Sequence, residues 1–465
     1  MVEFVHSRFF HTIMTQKEAL TILKMGHNVF LTGQAGSGKT YLLNQYVEYL
    51  KRWSVGVAVT ASTGIAATHL NGTTIHSWAG IGIRDEMTDK EIQALAKKKK
   101  LAGRIRVAKT LVIDEISMLH SYRLDLIERV LRITRGNFAP FGGIQVVFSG
   151  DFFQLPPVTR EGDAADHFAF KSDAWRVADL RVCYLESQHR HTDVAYLSVL
   201  NDIRGNAVSP KTVAVLECRY GERILPERMT WLYTHNADVD AINNRELVKL
   251  SGKPNTYIMQ DSGSKKLVAE LKRNCLAQET ITLKPETLVM FVKNNFERGY
   301  VNGTLGTVLR FDEYGTPVVR TRGGRTIAVL PESWRFEENG RTVAEISQIP
   351  LRLAWSITVH KSQGMSLDAA EVDLSKSFEP GMGYVALSRV RTLGGLRLMG
   401  LNDTAFTVNN EASTFDKELA MRSDEEAATV RALSLQEIEK RQQAFLAVAK
   451  PRDSSVVHRG RTCAL

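Results

Sequence analysis

Between residues 28 and 185, short runs of Val, Ile, Leu and Phe alternate with longer stretches in which apolar residues return every three or four positions. The runs are "NVFLTG", "VGVAVTA", "TLVIDE" and "IQVVFSGD". Runs apolar on both faces, separated by amphipathic helical patterns, predict a parallel sheet covered by helices. The pattern breaks from Arg84 to Lys109 at the basic stretch "EIQALAKKKKLAGRIRVAK", read here as a small insertion.

A second alternation begins near "VCYLESQHR" and "MTWLYTHNADVDAINNREL", stops, and resumes at "LAWSITVHKSQG" and "GYVALSRV". Between its halves, over about residues 265–346, lie "TLVMFVKN", "GTLGTVLRF", "PVVRTR" and "RTIAVL", which predict a small all-β insert. The expected class is therefore α/β, with a first domain over 1–185, a second over 186–410 and a helical, charged extension over 411–465. Its polar end, "KPRDSSVVHRGRTCAL", is expected to be disordered.

The 465 residues carry a formal charge of +9, which suits a polyanionic partner without requiring one. The four cysteines, Cys183, Cys218, Cys275 and Cys463, form no CxxC pair, so no zinc site or disulfide framework is indicated. No apolar stretch is long enough to span a bilayer, and the start lacks the features of a signal peptide. A cytoplasmic protein is the expectation, with a nuclear or organellar setting left open.

Gly33-Gln34-Ala35-Gly36-Ser37-Gly38-Lys39-Thr40 fits GxxxxGK[ST] between a strand and an amphipathic helix, the context a P-loop requires. Its glycines let backbone N–H groups turn toward phosphates, Lys39 would reach the β and γ phosphates, and Thr40 would ligate Mg²⁺. Asp114 ends the strand of "TLVIDEISML", where it can hold the Mg²⁺ shell. Glu115 beside it is the candidate base for an attacking water. Gln154, after the strand of "FSGDFFQLPPV", can sense a γ-phosphate. A second alternating half without a P-loop suggests ATP held between two domains, with Arg190 and Arg389 as the cations supplied from across the cleft.

Together, "GQAGSGKT", "TASTGIAATHLNGTTIHSWAGIG", "VIDEISML", "PFGGIQVVFSGDFFQLPPV", "WSITVHKSQGMSLD" and "YVALSRVRTLGGLRL" resemble the ordered motifs of the petite integration frequency (PIF) helicases, superfamily one. The branch also contains RecD and Dda. The segment from Ser117 to Gln145 is similar to the one that marks this family. The resemblance implies two tandem RecA-like domains, ATP and Mg²⁺ dependence, and 5′-to-3′ movement on single-stranded DNA in repair, recombination or replication; the family is also tied to telomere maintenance. It further implies that Gln16 reads adenine, that Gly364 lies near the γ-phosphate, that residues 84–109 form a strand-separating wedge, and that the β insert is a Src-homology-three-like barrel. "HTD" follows Arg190 where the family commonly has Gln, which puts the adjacent contacts in doubt.

Such a motor grips phosphates through hydroxyls and backbone amides, with some aromatic stacking. Thr63, Gly64, Thr73, His76 and Trp78 are the candidates in the first domain, and Thr358, His360 and Lys361 in the second. Threonines after strands are also common helix caps. The Lys97 to Lys100 run could touch DNA or form a solvated helix face. The reading is a monomeric DNA helicase acting on single-stranded, forked or structured DNA. A RecD- or Dda-like repair motor and an ATP-switched clamp without unwinding are the alternatives.

Overall fold

The computed structural model describes residues 14–450, apart from 71, 83, 158–167, 187–192, 222–229, 234–235, 276, 294, 296, 301–303, 322–323, 339–340, 364–366 and 368. Arg190, Gly364 and residues 451–465 of the C-terminal stretch expected to be disordered lie outside the described residues.

The four apolar runs fold as the strands Val29–Gly33, Val57–Ala61, Thr110–Asp114 and Gln145–Ser149. With Thr73–Thr74 and Arg181–Leu185 they make a six-stranded parallel sheet, in which the Val29–Gly33 strand lies between Gln145–Ser149 and Arg181–Leu185. Alternate side chains enter different cores. Val29, Leu31, Val112 and Val147 pack on one face with Leu42, Leu43, Tyr46 and Leu50 of the helix Lys39–Arg52. Phe30, Leu111, Ile113, Val146 and Phe148 pack on the other with the helix Ser121–Arg135. The doubly buried face explains why these strands read as unbroken apolar runs.

The second lobe holds a four-stranded parallel sheet in the order Ser356–Thr358, Thr230–Tyr233, Ala370–Leu374, Leu396–Leu401. Between its first two strands in the chain, antiparallel pairing runs from Asn255–Ile258 to Leu351–Leu353, so the β region is wider at both ends than the expected 265–346. Its largest sheet has five strands around a core of Val289, Phe291, Val308, Val319 and Leu351.

Two further features belong to the first lobe. Residues 84–109 contain the helices Asp89–Ala96 and Lys99–Val107, and Ile92, Leu95, Leu101 and Ile105 join the first lobe's core. The stretch is an integral layer of that lobe. The expected helical extension forms the helices Asn410–Ala432 and Leu435–Ala449, which return to the first lobe. The first of them covers the exposed edge of Arg181–Leu185: the Tyr184 N–H donates to Ser423 Oγ at 3.0 Å, Arg422 donates to the Leu180 carbonyl at 2.7 Å, and Arg181 pairs with Glu426 at 2.9 Å. Capping a sheet edge in this way removes a template for unwanted strand pairing.

Candidate nucleotide cleft

The P-loop leaves the sheet at Gly33, whose φ is +136° and where an added Cβ would lie 2.2 Å from the Leu185 carbonyl oxygen. Only glycine fits, and the chain can then wind around to the start of the helix Lys39–Arg52. That helix has no side-chain cap on its first N–H groups, so they remain aimed at the loop as a site for an anion. Lys39 Nζ donates to the carbonyls of Gly33 at 2.7 Å and Gln34 at 3.0 Å. Burial holds its pKa below the usual lysine range, against the attraction of Asp151 and Glu115. Ser37 Oγ is buried without a partner among the described residues. Gln16 opens the helix Gln16–Lys24, and its Nε2 donates to the Ser37 carbonyl at 3.4 Å, which places it beside the loop.

Asp114 and Glu115 follow at the end of their strand. Glu115 has φ +52° and ψ +46°, a left-handed conformation costing a non-glycine residue roughly 1–3 kcal/mol, a strain that clusters at functional sites. Burial raises the pKa of both carboxyls; for Glu115 the Asp114 charge adds to the rise, while Arg389 and Lys39 oppose it. Both carboxyls therefore favour a cationic partner. Asp114 and the exposed hydroxyl of Thr40, in the first turn of the P-loop helix, fit the sparse protein share of a Mg²⁺ shell completed by phosphates and water. Among the described residues no group of three or more His, Cys, Asp or Glu could hold a metal by itself.

The second lobe meets this site directly. Gln363 Nε2 donates to Glu115 Oε2 at 3.0 Å, and Gln363 Oε1 is buried without a partner among the described residues. Arg389 is 2% exposed, its Nε donates to the Val385 carbonyl at 3.0 Å, and burial lowers its pKa against the attraction of Glu115. Gln154 is buried, with Nε2 donating to Asp151 Oδ2 at 3.3 Å and Oε1 unpartnered among the described residues. The unsatisfied amide oxygens of Gln154 and Gln363 are the buried polar atoms a water or nucleotide group would satisfy.

The structure thus brings Gln16, Lys39, Glu115, Gln154 and Arg389 into one cleft. Gln363 and Asp151 complete it, although neither was a candidate site residue. Gln363 stands inside the quoted "HKSQG", but nothing in a single glutamine signals a bond to a carboxylate 248 positions away.

The candidate DNA contacts fare differently. Thr63 Oγ1 accepts the Ala66 N–H at 3.2 Å, so this hydroxyl serves the start of the helix Gly64–His69. Thr73 is exposed. Trp78 is 8% exposed and packs into the first core, which withdraws it as a stacking platform. His76 lies 3.5 Å from Arg123 Nη1, and burial together with that charge pushes its pKa down to about 4, so it is a neutral ring at physiological pH and supplies no cation to a phosphate. Thr358 is 4% exposed at its strand end and is no open hydroxyl donor. His360 and Lys361 lie in the short helix Val359–Ser362, and their side chains fall outside the described part.

A P-loop with its paired carboxylates on one lobe, met by a buried glutamine and arginine from a second parallel-sheet lobe, defines a two-lobed nucleoside-triphosphate hydrolase. The family model described as PIF1-like helicase matches residues 9–200. The ATP-dependent DNA helicase Pif1 of Psychrobacter sp. (strain PRwf-1) is 44% identical over 92% of this chain and 74% of its own length. A Xenopus laevis relative, ATP-dependent DNA helicase PIF1, is 39% identical, and the chain spans 65% of it. Among solved structures, Pif1 helicase from Candida albicans aligns with a TM-score of 0.80 at 33% identity, covering 90% of this chain and all of that one. Pif1 helicase from Bacteroides in complex with ADP-AlF3 and ssDNA aligns at 0.71 and 29% identity, covering 89% of this chain and 98% of that one. The chain belongs to the PIF1-like helicase family.

Proposed function

We propose that this ATP-dependent DNA helicase moves 5′ to 3′ along single-stranded DNA, with Mg²⁺-dependent hydrolysis in the cleft alternately closing and opening its two lobes. The observation that carries the reading is the contact across the cleft: Gln363 on Glu115 at 3.0 Å, with the Arg389 charge acting on the same carboxylate.

In the closed state Glu115 takes a proton from water as its oxygen attacks the γ-phosphorus. The bond from that phosphorus to the β–γ bridging oxygen breaks, leaving ADP and phosphate. Gln363 orients Glu115, Gln154 contacts the γ-phosphate, and Arg389, with Arg190 as its expected companion, neutralises charge developing on the phosphoryl oxygens. Lys39 exchanges its carbonyl partners for phosphate oxygens. Asp114 and Thr40 would hold Mg²⁺, which neutralises β and γ phosphate charge when bound. Release of phosphate removes what Gln154 and the arginines hold, so the lobes part and the grip on DNA shifts by a step.

The two helices within 84–109, with Lys97 to Lys100 exposed where one ends and the next begins, would serve as the strand-separating wedge, while the β region, as a Src-homology-three-like barrel, would support the path of the strand. The expected form is a monomer in the cytoplasm, acting on forked or structured DNA in repair, recombination or replication. Unwinding of duplexes bearing a 5′ or a 3′ single-stranded tail tests motor, substrate and polarity together. Unwinding from the 5′ tail alone is expected. Unwinding from the 3′ tail overturns the polarity, and ATP hydrolysis without any unwinding favours an ATP-switched clamp.

A further inference from the structure

Arg389 sits at the end of the helix Met382–Arg389, and the start of that helix touches the first lobe twice. The Ala35 N–H of the P-loop donates to the Tyr384 hydroxyl at 3.2 Å. The same hydroxyl donates to Asp151 Oδ2 at 3.4 Å and accepts from Arg204 Nη1 at 3.3 Å. One donor and two lone pairs are all a tyrosine hydroxyl has, so its bonding capacity is filled. Asp151 Oδ2 is also the acceptor for Gln154 Nε2. Asp151 Oδ1 takes Arg204 at 2.7 Å, and Arg204 reaches Asp416 of the returning C-terminal helix at 3.1 Å. The second contact is steric. Gly381 caps the helix at φ +91°, and a Cβ there would lie 2.8 Å from the Phe153 carbonyl oxygen and 2.9 Å from that of Gln154.

We propose that Tyr384 is a positioning residue for hydrolysis, its hydroxyl setting the register of the Arg389-bearing helix against the P-loop and the Gln154 turn. The two residues lie on one rigid turn-and-a-half of helix, so fixing Tyr384 on Ala35 and Asp151 fixes where Arg389 points. Arg204 is buried between two carboxylates and stacks 4.0 Å from the centre of the Phe153 ring, which holds Asp151 in place to receive the hydroxyl. A phenylalanine would fill the same space and leave the Ala35 N–H without its acceptor. The inference rests on the reading that Arg389 acts on the γ-phosphate.

The test uses the full chain with single-stranded DNA. In Tyr384→Phe, kcat is expected to fall about tenfold because Arg389 is no longer held in register, a loss of the size of one hydrogen bond, with KM for ATP and affinity for ADP changed by less than about twofold. Binding of ADP with aluminium fluoride, a stand-in for the transferring phosphoryl group, weakens by the same factor as kcat. Gly381→Ala, which displaces the helix by a different atom, is expected to show the same split. A purely structural tyrosine would lower Tm and the folded fraction while leaving kcat per folded molecule and the ratio of aluminium fluoride to ADP affinity unchanged; that result overturns the proposal. Arg389→Ala separates the layers. If it is slow while Tyr384→Phe keeps the parental rate, positioning by Tyr384 is wrong and the arginine assignment stands. If Arg389→Ala itself keeps the parental rate, both fall.

Discussion

The nucleotide cleft and the two hydroxyl clusters assigned to DNA were both read from short motifs, yet the structure treats them oppositely. In the cleft, Glu115 is bonded by Gln363 across the two lobes and Lys39 by the carbonyls of the loop ahead of its helix, while Gln154 and Arg389 are buried, each bonded within its own turn or helix. In the clusters, Thr63 caps its own helix, Trp78 belongs to a core, and Thr358 is closed off. The difference follows from chemistry. Hydrolysis needs charges fixed within a dry cavity, whereas a translocating strand must be gripped and released, which backbone amides and mobile surface groups do at lower cost.

The largest expected effect that would break this contrast is at Lys39. Lys39→Ala should abolish ATP turnover while single-stranded DNA binding, measured by fluorescence anisotropy, persists. Coupled loss of both would make cleft and DNA path one unit. Next, Arg389→Ala should lower DNA-stimulated turnover on the order of 10³-fold or more with little change in nucleotide affinity, as arginine fingers do. Steady-state kinetics beside nucleotide binding checks it.

Glu115→Gln should cut turnover by about 10²–10⁴, the share of a general base. Its second signature is in stability. Because the folded-state pKa of Glu115 is raised, the protonated form is favoured, and that contribution is lost as pH rises through the raised value. Gln mimics the protonated form, so Tm of the variant should exceed the parental value at pH 8 and approach it at pH 4. Thermal melts at both values decide, and equal shifts at both would remove the assigned buried charge.

On the DNA side, affinity should fall with salt and show little sequence preference, because phosphate contacts release counterions and carry no base information. Salt-insensitive binding would break the comparison from the other end. The smallest effect concerns His76. With its pKa at about 4 it stays neutral from pH 6 to 8, so His76→Ala should change DNA affinity by no more than about twofold, and by the same factor across that window. A titration near 6.5 that is present in the parental protein and lost in His76→Ala would return His76 to the list of phosphate contacts.

What was legible in the chain was what local chemistry imposes. The Gly33 to Thr40 loop, the acidic pair ending "TLVID" and the doubly apolar strands each satisfy their constraint within a few residues, so their pattern is visible without the fold. The class and the first half of the cleft followed. How the basic stretch at 84–109 is seated was not legible, because Lys97 to Lys100 dominates its composition, while the four residues that seat it, Ile92, Leu95, Leu101 and Ile105, are spread across two helices. The C-terminal helix was expected, but where it docks was unreadable for a related reason. Ala412, Leu419, Ala427 and Val430 form too thin an apolar stripe to name their partner, and what secures the helix is Ser423 meeting a strand edge 239 positions earlier.

The sequence alone determined the phosphate loop, the carboxylates beside it and the parallel-sheet architecture, because glycine torsions, strand periodicity and motif spacing act over short distances. Only the tertiary structure decided which second-lobe groups face the cleft. Gln363 on Glu115, Tyr384 on Ala35 and Arg204 between Asp151 and Asp416 join positions far apart in the chain. Their roles depend on burial and distance, quantities that come into being when the two lobes close on each other.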